Sequence, residues 1–257
     1  MADIHVSTIA DLKTALQTSG ANVFLDSDLD FNSITFGSST WCLVQASDFD
    51  GQGHTLYNIQ SGSSGTIFIP DAGHSCTFHN ANFYNLLLLG TGKLFDGYNS
   101  SNKNCYLSEC KVQGKAKQLF GDNMPIPATG AITKTNIRIN GDCNLYYPSY
   151  SLCYFDFDKS ANDTPSSSYH YIRFVDCYIK GHLRFKSTLY ASQCDRNVWN
   201  CYNDNNTTPA LSTAPGGSQL YNSDRCTFAS SANLFPLTDS QLKDRDYIAN
   251  NTSFPIL

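Results

Sequence analysis

The sequence has almost no glutamate: of 22 acidic residues, Glu109 alone is not an aspartate. Charged residues make up 15% of the 257 positions, against about 25% in an ordinary soluble domain. Methionine and tryptophan number two each. With Glu, Lys, Ala and Met thin, the usual helix fillers are missing. That excludes a helical bundle, a coiled coil and a doubly wound α/β enzyme. No apolar run approaches the roughly 20 residues of a membrane span, so a membrane partner is not expected. Net charge is −5 and no basic block stands out, which argues against nucleic acid as a partner. Met1-Ala2-Asp3-Ile4-His5 has no basic region followed by an apolar stretch. The expectation is a chain not secreted by a signal peptide. None of the ten cysteines forms a CxxC pair, so neither a zinc site nor another cofactor is expected. Reduced, buried thiols acting as small core hydrophobes are expected instead.

In place of these the chain has 23 Asn, 29 Ser and 20 Thr, with aromatics at 13%. Short polar side chains favour turns and caps because they bond to nearby backbone. The aromatic content is too high for a disordered chain. The composition predicts many short strands joined by many turns.

An eight-residue pattern recurs: apolar, any, polar turn-former, apolar or Cys, any, apolar, any, Gly. It occurs as Phe83-Tyr84-Asn85-Leu86-Leu87-Leu88-Leu89-Gly90 and as Leu107-Ser108-Glu109-Cys110-Lys111-Val112-Gln113-Gly114. Further copies, the first led by a lysine, begin at Lys134 and Phe174, with weaker ones at Leu56, Val198 and Ser223. Successive fourth positions are 59, 86, 110, 137, 177, 201 and 226, in steps of 27, 24, 27, 40, 24 and 25. The step of 40 is taken as one period plus an insertion near 142–169. A period near 25 without a helical pattern predicts one coil of a solenoid, with coils about 4.8 Å apart. Cys110, Cys177, Cys201 and Cys226 would then form an internal ladder of small groups. Asn58, Asn85, Asn136, Asp176 and Asn200 would mark a shared bend, because Asn and Asp tolerate left-handed backbone.

Both ends look capped. Ser7 to Leu16 suggests a short amphipathic helix with Ser7 as N-cap. Thr238 to Ile248 suggests a second, opened by a Thr238/Gln241 capping box. The expected architecture is therefore all-β: a single-domain right-handed parallel β-helix over 1–257, of about eight coils. Residues 1–20 form the N-terminal cap, 21–236 the coils and 237–257 the C-terminal cap and tail.

Asp-Leu-Lys-Thr-Ala-Leu (11–16) leading to Val23-Phe24-Leu25-Asp26, followed by Asp50-Gly51-Gln52-Gly53-His54-Thr55-Leu56, resembles the opening of a β-helix of the pectate-lyase-like superfamily. The segment Leu237 to Asp244 with Tyr247 and Phe254-Pro255-Ile256 is similar to the ending of small β-helix virion proteins of tailed bacteriophages. The resemblance implies a virion location, other virion proteins as partners, and a homo-oligomer, with a trimer as the form such rods often take.

Catalytic signals are sparse. Asp26, Asp28 and Asp30 alternate, which puts them on one strand face where a cation could sit. Asp156-Phe157-Asp158 is the densest acidic stretch. Glu109 and Asp176 share a repeat phase but not the spacing of a hydrolase pair. No nucleophile elbow is present. The expected function is a non-enzymatic structural or interaction protein of a phage head fibre, decoration or tail appendage, with host surface polysaccharide as a candidate contact. A polysaccharide lyase or glycoside hydrolase and a carbohydrate-binding adhesin stand as alternatives. Tyr146, Tyr147, Tyr150, Tyr154 and Phe155, aromatics of the supposed insertion, are the expected partner or glycan contacts, since Tyr suits sugar stacking and interfaces.

Overall fold

The computed structural model describes residues 1–34, 36–97, 105–116, 119–121, 132–139, 143–145, 149–163, 173–175, 177–185, 189–190, 194–195, 197–202, 211–212, 220–223, 234–238, 240–241 and 244–251. It is a parallel β-solenoid. Face A is a sheet of nine strands, from Asp3–Val6 and Asn22–Leu25 through Asp48–Asp50, Cys76–His79 and Cys105–Ser108 to Cys194–Asp195. Face B has eleven, among them Thr55–Tyr57, Asn82–Leu88, Lys111–Ala116, Asn136–Ile139, Tyr154–Asp163 and Tyr178–Phe185. Face C holds Cys42–Val44, Thr66–Pro70 and Lys93–Phe95, extended by a bridge from Phe95 to Phe120. Four successive coils thus have all three faces described, against the eight expected.

The sharp corner between faces A and B explains the sequence repeat. Asn80, Glu109, Lys134 and Leu152 have φ of 51°, 55°, 46° and 55°. One left-handed residue turns the chain from one sheet to the next. The residue after it points into the corner, where the neighbouring coil's backbone passes about 4.8 Å away, so only a small side chain fits. Those residues are Ala81, Cys110, Thr135 and Cys153, all at most 1% exposed. Their polar atoms satisfy the corner. Cys110 Sγ donates to the Ser108 carbonyl (3.3 Å), Cys153 Sγ to that of Ser151 (3.3 Å) and Thr135 Oγ1 to that of Thr133 (2.8 Å). Burial pushes the Cys110 thiol up to about 12. Cys42, Cys76, Cys105, Cys110, Cys153 and Cys177 are buried and unbridged.

This corner revises the expected ladders. Cys177 is buried two residues past the Phe174–Val175 rungs, in the rank of Cys153. Cys201 instead pairs in register with Gly181, on a strand of face B, and Cys226 lies outside the described residues. Asn58 and Asn85 do have positive φ, 60° and 53°, but at a different corner, beyond the start of face B. There Asn85 Nδ2 donates to Asn58 Oδ1 (2.6 Å), and Asn58 Nδ2 to Asp30 Oδ1 (2.8 Å). Asn136 opens a strand opposite Lys111, and Asn200 pairs with Lys180; neither marks a bend. Asp176 lies outside the described residues. The supposed insertion is a coil of its own. Tyr150 pairs with Ile132 on face A, and Phe155 with Ile137 on face B.

The interior is a file of aromatic rings. Phe49 meets Phe78 at 5.1 Å, Phe78 meets Phe95 at 5.0 Å, and Phe95, Phe120, Tyr150 and Phe155 continue it. Helix α1 (Ile9–Leu16) closes the N-terminal end with Leu12, Ala15 and Leu16 buried. Its N-cap is Thr8, whose Oγ1 accepts from the Asp11 N–H, and not Ser7. The Thr238/Gln241 capping box forms: Thr238 N–H donates to Gln241 Oε1 (2.8 Å) and Gln241 N–H to Thr238 Oγ1 (3.4 Å). The C-terminal helix α2 itself spans Arg245–Asn251, with the Tyr247 N–H donating to Asp244 Oδ1.

Candidate functional site

Side chains alternate along a strand, so Val112, Ile137 and Phe155 point inward from face B while their neighbours form its outward side. Register builds two outward rows. One runs Thr55, Asn82, Lys111, Asn136, Tyr154, Tyr178. In the other, Tyr57 lies beside Tyr84, Gln113 beside Arg138, and Arg138 beside Asp156, with a bulge between Val112 and Gly114 where the rows cross the Asn82–Leu88 strand. The rows hold an open depression of about 300 Å³, lined by Asp28, Thr55, Tyr57, Tyr84, Lys111 and Gln113 among others. Tyr84 is 52% exposed, unusual for so large a ring. Further along, the Tyr154 ring stacks on Tyr178 at 5.3 Å and 12°. Burial, then the nearby Asp156, raises the Tyr154 hydroxyl above its ordinary value against the opposing pull of Arg138.

Of the expected contact residues, Tyr154 alone is described on this surface. Tyr150 and Phe155 are fully buried in the aromatic file, so they are core and not contacts; their coil supplies the interior between Phe120 and face B. Tyr146 and Tyr147 lie outside the described residues. The aspartates near the N-terminus do not share one site. Asp26 accepts from His5 and Gln52; Asp28 pairs with His54 at 3.2 Å and takes the Thr55 N–H at 2.8 Å. Asp30 takes the Asn32 N–H and the Asn58 amide. Among the described residues no group of three or more His, Cys, Asp or Glu is placed to hold a metal ion. Glu109 sits at the left-handed corner and pairs with Lys134 at 2.9 Å.

Tyr57, Tyr84, Lys111 and Gln113 were missed by sequence reading. They lie on three strands, 27 to 29 residues apart from coil to coil, and only inter-coil register brings them together. The alternation within Thr55-Leu56-Tyr57 and Lys111-Val112-Gln113 was the available signal.

No protein-family model matches the chain, and neither does any curated protein. Among solved structures, the chain is similar to a crystal structure named a "putative immunoglobulin A1 protease" from Bacteroides ovatus. The two are 13% identical with a TM-score of 0.49, over 96% of this chain and 87% of the other. The expectation of a chain without enzymatic activity is withdrawn on this finding, since the matched protein is named as an enzyme. The protease name stays with that protein, and no residue role passes from it to this chain.

Proposed function

We propose that the protein recognises an extended glycan along the outward side of face B. The observation that carries this reading is the exposed Tyr84 ring beside Tyr57 in an open depression rimmed by Asn82, Lys111, Gln113 and Asp28. A sugar ring presents an apolar face, which stacks on an aromatic side chain, and an equator of hydroxyls, which need donors and acceptors placed around that ring. A polymer also suits a surface that repeats from coil to coil. The setting on a tailed-phage virion, with host surface polysaccharide as the glycan, belongs to the same proposal and rests on the likeness of the C-terminal segment to phage β-helix proteins.

Binding of the full chain to immobilised neutral and acidic polysaccharides tests the reading. Tyr84→Ala and Tyr57→Ala are expected to weaken binding by about tenfold each, the effect of losing one stacking contact of roughly 1.4 kcal/mol, with thermal stability near that of the wild type for the half-exposed Tyr84. Binding unchanged in both variants, or no binding to any polysaccharide, overturns it. Measuring reducing ends in the same mixtures shows whether the bound glycan is also cleaved.

A further inference from the structure

The outward row on face B does not stay open along its whole length. Leu237 lies two residues past Phe235, which pairs with Tyr221; Tyr221 pairs with Val198, and Val198 with Tyr178. Alternation therefore places Leu237 on the same outward side as Tyr178. Three strand spacings separate them, about 14 Å. Ile248 of α2 is buried against Leu237, and Tyr178 and Tyr247 pack against that pair. A helix of 7 residues is about 10 Å long, so α2 lies back across the strands from Leu237 towards Tyr178. The Tyr178 ring that packs against this pair also stacks on Tyr154. The two chain ends thus differ. Helix α1 plugs the interior with three buried side chains, whereas α2 leans on the outside, on the surface that carries Tyr84 and Lys111.

We propose that α2 is the end wall of the binding groove, fixing where a bound polymer stops. This rests on the glycan reading above. A chain running along the row from Thr55 meets Asn82, Lys111, Asn136 and Tyr154 in turn and then abuts the helix at Tyr178. The wall makes the site take a limited length of polymer. Gln241 Nε2 bonds to the Tyr247 hydroxyl (2.8 Å) and Asn251 Nδ2 to the Tyr247 carbonyl (2.9 Å), which holds the segment together internally.

The test compares the wild type with Ile248→Asp, which places a carboxylate in the docking contact. Both are titrated with oligogalacturonates and with cello-oligosaccharides of increasing length, and Tyr178 labelling by tetranitromethane is followed by mass spectrometry. The wild type is expected to gain affinity with length and then plateau. In the variant the shortest oligosaccharides bind as before, Tyr178 labels faster, and the longest member binds about fivefold more tightly, one added stacking contact of roughly 1 kcal/mol. Equal length dependence in the two proteins overturns the end wall, as does Tyr178 labelling that does not change. No binding of any oligosaccharide by either protein overturns the glycan reading and the wall with it. Should Ile248→Asp fail to fold, hydrogen exchange of the wild type decides. Oligosaccharides at or above the plateau length are expected to slow exchange in Arg245–Asn251 and shorter ones are not; equal effects of both overturn the wall.

Discussion

Asn80, Glu109, Lys134 and Leu152 share one backbone conformation with four unlike side chains. The corner selects φ and leaves the side chain free, because these residues turn outward while Ala81, Cys110, Thr135 and Cys153 fill the inside. A left-handed conformation costs an ordinary L-residue roughly 1–2 kcal/mol, with Asn less penalised and Gly not at all. Replacing Asn80 by Val puts a β-branched side chain at φ 51°. The expected cost is about 1–2 kcal/mol, whereas Asn80→Gly is expected within about 0.5 kcal/mol of the wild type. Urea midpoints for the two variants check this, and equal midpoints would show that the corner tolerates any backbone preference. The same freedom explains why the repeat was only partly legible. Leu152 apart, both corners of face B follow a polar left-handed residue with an apolar or small one, so Asn58 and Asn85 of one corner align in sequence with Glu109 of the other. The pattern could be counted, but which corner each copy marked depended on register.

Between coils, short polar side chains act as clasps. His5 pairs with Asp26 at 2.8 Å, His54 with Asp28 at 3.2 Å and His79 with Asp48 at 2.8 Å, each joining one coil to its neighbour. On face C's margin Asp71 takes its own neighbour's N–H, from Ala72, and the Gln45 amide of the previous coil. The His5 contact holds the Asp26 carboxyl below its ordinary value, and the Ala72 N–H, then Gln45, does the same for Asp71. Groups depressed on folding stabilise the protein above the unfolded carboxylate value and lose that contribution as pH falls through the lowered folded value. The melting temperature is therefore expected to fall from about pH 4 downward, and more shallowly in Asp26→Asn/Asp71→Asn. An identical acid slope in the double variant would remove these clasps from the account. Asp26 is exposed and Asp71 half-buried, so the effect is modest and weaker at high salt. At this scale the sequence was readable where one strand or helix sufficed: α1, the capping box and the alternating strands all stand. It misled where length was the guide. The bends at Lys134 and Leu152 are 18 residues apart, shorter than the period near 25, and a short coil followed by a longer one looks like an insertion. Its tyrosines were consequently assigned to a surface loop, although Tyr150 is fully buried.

Two systems run from coil to coil: the sheets outside and, from Phe49 to Phe155, the aromatic file inside. Each coil touches only the coils before and after it, so stability is close to a sum of coil and neighbour terms. Phe95 lies in the middle of the aromatic file: its ring is within 5.0–6.3 Å of Phe68, Phe78, Phe83 and Phe120. Truncation to Ala removes a fully buried ring and costs about 3–5 kcal/mol. In a globular core that loss would be shared by every element. Here it is expected to stay near its source. Hydrogen exchange of Phe95→Ala should accelerate in Thr66–Pro70, Cys76–His79, Asn82–Leu88 and Cys105–Ser108. The strand Asn22–Leu25, held under α1, and the distant strand Tyr178–Phe185 should keep their protection. Uniform loss of protection would mean that the sheets transmit the defect and that the coils unfold as one unit. Local loss carries a consequence for function, because Tyr84 stands on the Asn82–Leu88 strand and Lys111 on the next. The groove is then only as rigid as the aromatic file beneath it. Phe95→Ala should weaken polysaccharide binding without altering any residue that faces the glycan.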